Sequence, residues 1–373
     1  MSLKNEPVVV FAYDFPHRKT YDFILDLMAV GLRNLVVLAA PHKELKNTDR
    51  RVYFPRSLIV PPPIGTPDLC ESLGLKLYLV DHGDSEKIRK IVDHYDIKLG
   101  IVAGARIIPG SVIELFSEGI VNFHPGKIPE TSGLDSLYYT IKNMAPPGVT
   151  VHYIDHKVDA GRYISFEETP ISLHETLETL VENIYQTQRV ALRRFVDSYF
   201  ARAVKTEIID RPKKNQPMTP DEKLVTLSGF ENWRAEIHLR QQTEALLVAC
   251  KDGNLKKVEQ ILSAHPALLG VAGKQGWTPL IVACFNQSRE VVRYLLELGA
   301  DPNQAGAKGT TPAMYAKTKL INQENADYSI LDLLYDSGAD FSRLDSYGKD
   351  ILHYVELSGD RQLLEKVAKY VRG

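Results

Sequence analysis

The stretch Gly119-Ile-Val-Asn-Phe-His-Pro-Gly-Lys-Ile-Pro-Glu-Thr-Ser-Gly133 decides how the first half of the chain is interpreted. Its first five residues are typical of a short buried strand, and the prolines and glycine that follow predict a turn because they cannot continue that strand. Side chains two residues apart on a strand project to the same face. The sequence therefore predicts that Asn122 and His124 point into one pocket at the end of a strand.

An amide beside an imidazole is a chemically useful pair. An amide N–H can stabilise a developing oxyanion, and an imidazole can accept or deliver a proton near neutral pH. The alternative interpretation is that His124 only closes the turn and that Asn122 only binds backbone. An Asn-x-His pattern by itself does not decide between the two.

A second stretch, Gly148-Val-Thr-Val-His-Tyr-Ile-Asp155, alternates apolar and polar residues as a strand does. A further predicted strand follows at Arg162-Tyr-Ile-Ser-Phe166. Asp159 lies in the turn between them, two residues before Gly161. An aspartate in such a place either braces the turn or reaches a neighbouring pocket.

These motifs together resemble the catalytic core of the folate-dependent formyltransferases. The resemblance rests on Asn122-x-His124-Pro-Gly, on Pro129 and Gly133, and on the segment from Gly148 to Gly161, and it extends over roughly residues 8–200. In that family the matching Asn, His and Asp form the catalytic trio. The resemblance thus implies that Asn122, His124 and Asp159 are catalytic, with Asp159 orienting His124.

The resemblance also implies N10-formyltetrahydrofolate as the co-substrate, with no metal. Gly100-Ile-Val-Ala-Gly-Ala-Arg-Ile-Ile-Pro109 is similar to the strand and loop that lie beside the folate in the family. The implied apolar wall consists of Ile101, Ala103, Ile107 and Ile108, and the backbone of Gly104 and Ala105 is the implied contact to the pterin edge. Arg106 and Gly133 are the candidate contacts to substrate.

Members of the family act on initiator transfer RNA, a purine-pathway amine, nucleotide-linked amino sugars, or water. The acceptor amine of this chain is inferred from the positions at which its sequence departs from the transfer-RNA enzymes. Ser132-Gly133 stands where the transfer-RNA enzymes have Arg-Gly, and the chain after Phe200 does not resemble their appended β-barrel. We therefore expect a nucleotide-activated amino sugar, with dTDP as the favoured carrier and UDP as the open alternative, whose product feeds a bacterial surface polysaccharide such as O-antigen. The alternatives are another amine, water, or a catalytically inactive front domain on a scaffold.

The C-terminal part contains an internal repeat. Gly276-Trp-Thr-Pro-Leu280 and Gly309-Thr-Thr-Pro-Ala313 begin 33 residues apart, and Gly348-Lys-Asp-Ile-Leu352 follows 39 residues later. A Thr-Pro-Leu motif with a period of about 33 residues is typical of ankyrin repeats. Residues 246–262 fit an earlier, degenerate repeat. Residues 322–327 are interpreted as a polar insertion, and residues 351–371 as a truncated cap.

Trp277 occupies a variable position in the turn of the first clear repeat. Such positions commonly face outward, and an exposed indole can stack on a nucleotide base. The sequence therefore offers Trp277 as the centre of an accessory nucleotide or protein site. The alternative, which we favour on the sequence, is that Trp277 packs on a neighbouring repeat.

Alternating short apolar runs and helical patterns predict an α/β domain with a mostly parallel twisted sheet flanked by helices, followed by an all-α ankyrin domain. We expect a catalytic domain over residues 1–201, a linker or small connecting subdomain over 202–238, and the repeats over 239–373. No Gly-x-Gly-x-x-Gly follows the first strand and no phosphate loop occurs, which disfavours a dinucleotide enzyme or a nucleotidase.

The chain has 373 residues, a formal net charge of −2 and three widely separated cysteines. This charge gives no electrostatic reason to bind nucleic acid or an anionic membrane, and the cysteines have no metal-ligand spacing. The Met1 end lacks the apolar core of a signal peptide, and no apolar run is long enough to span a bilayer. We expect a cytoplasmic enzyme, and a homodimer by analogy with many small enzymes.

Overall fold

The computed structural model describes residues 5–41, 64–105, 107–156, 161–208 and 215–372. Outside these ranges lie Arg106, Asp159 and the three consecutive prolines at 61–63. The chain divides into two compact units, Met1–His238 and Leu239–Gly373.

The first unit is built on one sheet of eight strands. The strands are β1 (Val8–Tyr13), β2 (Leu35–Ala40), β3 (Lys76–Leu79), β4 (Leu99–Val102), β5 (Gly119–His124), β6 (Gly148–Tyr153), β7 (Arg162–Glu168) and β8 (Glu207–Ile208). Their order across the sheet is β3-β2-β1-β4-β5-β6-β7-β8. The first five strands pair in parallel, whereas β6, β7 and β8 join in antiparallel fashion. The predicted mostly parallel sheet is confirmed.

Helices connect the strands and cover the sheet. Their bounds are α1 (Arg18–Ala29), α2 (Thr66–Leu73), α3 (Ser85–Tyr95), α4 (Gly110–Ile113), α5 (Ser136–Lys142), α6 (Leu177–Phe200), α7 (Pro220–Ser228) and α8 (Phe230–Lys251). Serine is a common N-cap residue, so the sequence alone predicts Ser85 as the cap of α3, but this prediction is wrong. The carboxylate of Asp84 accepts the backbone N–H of Lys87 at 3.1 Å, so Asp84 is the cap and Ser85 is the first helical residue.

Strand alternation divides the buried side chains between two cores. On β1, Val8 and Val10 belong to the core beneath α1 and α6, whereas Val9 and Phe11 belong to the core beneath α3 and α4. The same alternation on β5 sends Val121 and Phe123 into the first core and Ile120 into the second. Asn122 and His124 share the parity of Ile120 and therefore project toward the second face.

The stretch expected to connect the two domains is folded against the first unit. It contains β8, α7 and the start of α8. Trp233 is 0% exposed, its indole N–H donates to the carbonyl of Ala145 at 3.0 Å, and its ring lies 5.7 Å from that of Phe230. Trp233 and Ile237 thus complete the first core.

The second unit is helical and consists of stacked helix pairs, which confirms the predicted all-α repeat domain. After α8 its helices are α9 (Leu255–Ala264), α10 (Pro279–Phe285), α11 (Arg289–Glu297), α12 (Pro312–Ala316), α13 (Ser329–Asp336), α14 (Ile351–Ser358) and α15 (Arg361–Arg372). The Thr-Pro pairs begin the inner helices because Thr278 and Thr311 cap them: each hydroxyl accepts a backbone N–H three residues on.

The final repeat is a complete helix pair rather than the truncated cap that the sequence suggested. Leu363 and Val367 of α15 are fully buried against the unit's core. The polar insertion 322–327 precedes α13 and leaves the helix pair around it intact. Within the ranges that the structure describes, no helix is long and apolar enough to cross a bilayer.

Candidate functional site

The end of β5 and the facing part of β6 form the centre of the site. Asn122 pairs with His152 in the β5–β6 register, next to an irregularity between Val151 and His152. Asn122 Nδ2 lies 3.3 Å from His152 Nε2. An amide nitrogen only donates, so His152 Nε2 accepts, and the second hydrogen of the Asn122 amide is left for another acceptor.

His124 is held by its own turn. The ring is 5% exposed, and His124 Nε2 lies 3.0 Å from the carbonyl oxygen of Thr131. Because a carbonyl only accepts, Nε2 must carry the proton. The Thr131 carbonyl thus fixes both the tautomer and the orientation of the ring.

Close packing around Gly126 keeps this turn tight. Thr150 donates its hydroxyl to the Gly126 carbonyl at 2.6 Å and accepts the backbone N–H of Ile128 at 3.1 Å. A Cβ atom on Gly126 would lie 2.2 Å from the hydroxyl of Thr131. Only glycine fits there, which explains the glycine two residues after His124.

The loop after β4 corrects part of the predicted folate wall. Ile101 and Ala103 are fully buried in the first core, on the face opposite to Asn122, so their assignment to the wall was wrong. The period of two along the strand assigns Val102 to the face of Asn122 instead. Ile108 is on that second face, 5% exposed, and Ile107 is 76% exposed.

The Gly104 backbone is only partly available for a ligand. Its N–H donates to the carbonyl of Phe11 at 2.8 Å, so it cannot also bind the pterin edge as the sequence interpretation supposed. A Cβ on Gly104 would come within 2.9 Å of the Thr20 hydroxyl and 3.0 Å of His17 Nδ1. Gly104 is therefore required for the close approach of this loop to the start of α1, while Ala105 packs beside the second core.

Two of the predicted site residues, Arg106 and Asp159, lie outside the described residues. β6 ends at Tyr153, the described residues continue to 156, and they resume at Gly161 just before β7. Gly161 has φ of +103°, and a Cβ there would lie 2.2 Å from the carbonyl oxygen of Tyr153. The glycine of the Asp-Ala-Gly pattern is thus needed for the turn itself. Gly133, predicted to contact substrate, has φ of +95° in the loop before α5.

Aromatic side chains that the sequence interpretation missed lie at the carboxyl end of β1. The ring of Tyr13 stacks on Phe15 at 4.9 Å and meets His17 edge-on at 5.0 Å. His17 caps α1 by accepting the backbone N–H of Thr20. Burial, with a smaller contribution from the charge of Lys19, lowers the pKa of His17 to about 4.

The lowered pKa of His17 predicts a loss of stability in acid. The unfolded chain takes up a proton at His17 near pH 6.5, whereas the folded protein does so only near pH 4. Between these values the unfolded state binds more protons, so the free energy of unfolding falls as the pH falls. We expect His17→Asn, which can still cap the helix, to reduce this slope by up to about one proton.

Urea unfolding of wild type and His17→Asn between pH 7 and pH 4 measures this effect. His82 is buried and its pKa is also lowered, so the comparison between the two proteins isolates the part due to His17. The exposed His94, changed to Asn, provides the matched control. Equal slopes in wild type and His17→Asn would contradict the prediction.

Trp277 packs within the second unit. Its ring lies 4.7 Å from Tyr315 of the next repeat and 5.2 Å from Phe285, and it is partly buried against the core. This is the packing alternative that the sequence favoured. An accessory nucleotide or protein site at this cluster stays a prediction.

Residues 78–196 match the family model for formyl transferase, and residues 222–306 match the model for ankyrin repeats in three copies. The segment that matches the formyl transferase model includes Asn122, His124 and the position of Asp159, and the ankyrin match follows it along the chain. The ankyrin match begins earlier than the boundary expected at residue 239, and the helix pairs continue beyond its end to Arg372.

Individual proteins similar to the chain match only parts of it. Phosphoribosylglycinamide formyltransferase of Bacillus subtilis is 29% identical over 96 residues, 25% of this chain and 49% of that protein. Protein fem-1 homolog A-like of Mus musculus is 36% identical over 105 residues, 28% of this chain and 15% of that protein. The chain thus spans half or less of the length of these two relatives. An X-ray structure of a sugar N-formyltransferase from Shewanella sp FDAARGOS_354 covers 59% of this chain and 87% of that one, with 20% identity and a TM-score of 0.42.

Proposed function

We propose that this protein transfers a formyl group from N10-formyltetrahydrofolate to a primary amine. The observation that carries the proposal is the end of β5. There Asn122 and His124 project to one face of the sheet, inside the segment that matches the formyl transferase model. The bound donor would supply an activated formyl carbon, and the chain would supply the groups around it.

Asn122 would stabilise charge on the formyl oxygen. Attack by an amine pushes negative charge onto that oxygen, and the second hydrogen of the Asn122 amide can be donated to it while the first stays with His152. Loss of one such donor raises the barrier by about 3 kcal/mol in well-studied enzymes. His152 acts through Asn122 and fixes the orientation of the amide.

His124 would accept the proton that the attacking amine must lose. Its Nε2–H is directed to the Thr131 carbonyl, which orients the imidazole for this role. We further propose that the Asp159 carboxylate stabilises the resulting imidazolium, as the resemblance implies. Arg106 would contact a phosphate or substrate oxygen, and Val102, Ile107 and Ile108 would form the apolar wall.

For the acceptor we propose a nucleotide-linked amino sugar, probed first as the dTDP derivative, whose formylated product enters a bacterial surface polysaccharide such as O-antigen. Two features support it over transfer RNA: Ser132-Gly133 replaces an Arg-Gly pair, and the net charge is −2. Another amine, water, or an inactive front domain on a scaffold are the competing proposals. The cytoplasmic location and the homodimer stay predictions.

Incubation of the full-length protein with formyl-labelled donor tests the function. Parallel reactions contain dTDP-linked amino sugars, UDP-linked amino sugars, or no acceptor. Transfer of label to a dTDP-sugar is the expected result. Free formate without acceptor would indicate hydrolysis instead, and no consumption of donor under any condition would support the scaffold alternative.

A further inference from the structure

A segment beyond the matched formyl transferase domain contacts the loop that follows His124. We call residues 215–223 the brace and residues 130–135 the site loop. Asn215 of the brace is 5% exposed and makes two hydrogen bonds to the backbone of the site loop. Its N–H donates to the carbonyl of Ser132 at 3.2 Å, and its side-chain amide donates to the carbonyl of Glu130 at 3.0 Å.

Asp135 is the second point of contact and the more strongly constrained one. It is the N-cap residue of α5, and its backbone lies in the left-handed region with φ of +63°, a conformation that most residues avoid. One carboxylate oxygen accepts the backbone N–H of Met218 at 3.0 Å, and the other lies 2.7 Å from Nζ of Lys223. The side chains of Asp135 and Lys223 are only 9% and 13% exposed. This ion pair is therefore shielded from water, unlike an ordinary surface pair.

The other end of the site loop holds His124. The Thr131 carbonyl accepts the ring N–H of His124 at 3.0 Å, and the Thr131 backbone N–H donates to Lys127 at 2.9 Å. Only three residues separate Thr131 from Asp135 along the chain. A displacement of Asp135 would thus be transmitted through a short, hydrogen-bonded loop to the carbonyl that orients the imidazole.

We propose that Asp135 and Lys223 are positioning residues of the transfer site. They fix the site loop so that the Thr131 carbonyl keeps the proton of His124 on Nε2 and holds the ring in one orientation. This inference rests on the proposed function for its catalytic consequence, but the orientation of the ring can be measured without any turnover.

Three variants and one control separate positioning from simple stability. Lys223→Met removes the charge and keeps the length of the side chain, Asp135→Asn keeps an acceptor for Met218, and Lys223→Arg restores a cation. Lys87→Met is the control because it also breaks an ion pair: Lys87 Nζ lies 3.0 Å from the carboxylate of Asp84. The side chain of Lys87 is 71% exposed, so this pair is an ordinary surface pair.

We expect Lys223→Met and Asp135→Asn to lower kcat by about 10-fold or more with less than about 3-fold change in KM, since misplacement of a catalytic group affects the chemical step. The double variant should be little worse than either single one because both remove the same interaction. Lys223→Arg should recover most of the activity, and Lys87→Met should match wild type. Unchanged kcat in folded Lys223→Met would overturn the proposal, as would a loss that Lys223→Arg does not recover.

Ring ¹⁵N chemical shifts of His124, recorded without substrate, provide the second readout. Wild type and Lys87→Met should show the Nε2-protonated form, and Lys223→Met should show a mixture of the two neutral forms. The same form in all three proteins would contradict the proposal even if transfer activity is present. If wild type transfers no formyl group, the proposed function fails, and these spectra still decide whether the brace orients His124.

Discussion

Replacement of His124 by asparagine is expected to lower kcat for formyl transfer by about 10²- to 10⁴-fold. The change removes the imidazole to which the proposal assigns the amine proton and which the Thr131 carbonyl orients. Asparagine retains a donor for the Thr131 carbonyl and so preserves much of the turn. Single-turnover assays with the labelled donor measure the chemical step directly.

The control for this experiment is His94→Asn, because His94 is exposed on α3 and distant in sequence from the site. Binding of a non-transferable formyl-folate analogue should be unchanged in His124→Asn, since the histidine is assigned to the reaction and not to donor binding. Near-normal turnover in that variant would remove the proposed role of His124. A bell-shaped pH dependence in wild type that loses one limb in His124→Asn would support it.

Replacement of Trp233 by alanine is expected to destabilise the first unit by about 3–5 kcal/mol. Trp233 is fully buried, stacks on Phe230 and donates its indole N–H to the Ala145 carbonyl. Alanine leaves a large cavity and an unpaired carbonyl, and both effects act in the same direction. Urea unfolding followed by near-ultraviolet circular dichroism measures the change.

Trp233→Phe separates the two contributions. Phenylalanine fills most of the volume but cannot donate, so a loss of about 1–3 kcal/mol is expected for the unpaired carbonyl. A cost below about 1 kcal/mol for Trp233→Ala would show that residues 230–237 are dispensable to the first unit. That outcome would favour the connecting subdomain that the sequence suggested over the packing seen at Trp233.

The strands and the pair Asn122 and His124 could be predicted because their signals are local. Runs such as Leu35–Ala40 are continuously apolar where both faces of a parallel strand are covered, and the observed strand has the same bounds. The period of two likewise places Asn122 and His124 on one face. A closer use of that period would have assigned Ile101 to the face opposite Asn122 and Val102 to the same face as Asn122.

The parts that the sequence did not reveal depend on contacts between distant segments. His152 meets Asn122 because β5 and β6 pair in one particular register, and the brace meets the site loop across more than 80 residues, as from Met218 to Asp135. Neither contact has a motif of its own. Trp233 was assigned to a connection because the prolines and polar residues before it dominate the composition of that stretch.

The mixed direction of the strands has a consequence for how the first unit assembles. β5 and β6 follow each other in the chain and pair directly, whereas Val8 of β1 pairs with Leu99 of β4 only after β2 and β3 have been passed over. The entropy lost on closing a segment grows with its length, so the β1–β4 pair is more costly to close than the β5–β6 pair. His124 ends β5, which pairs with β4 on one side and with β6 on the other, so we expect its surroundings to form with these short-range pairs before β1 joins β4.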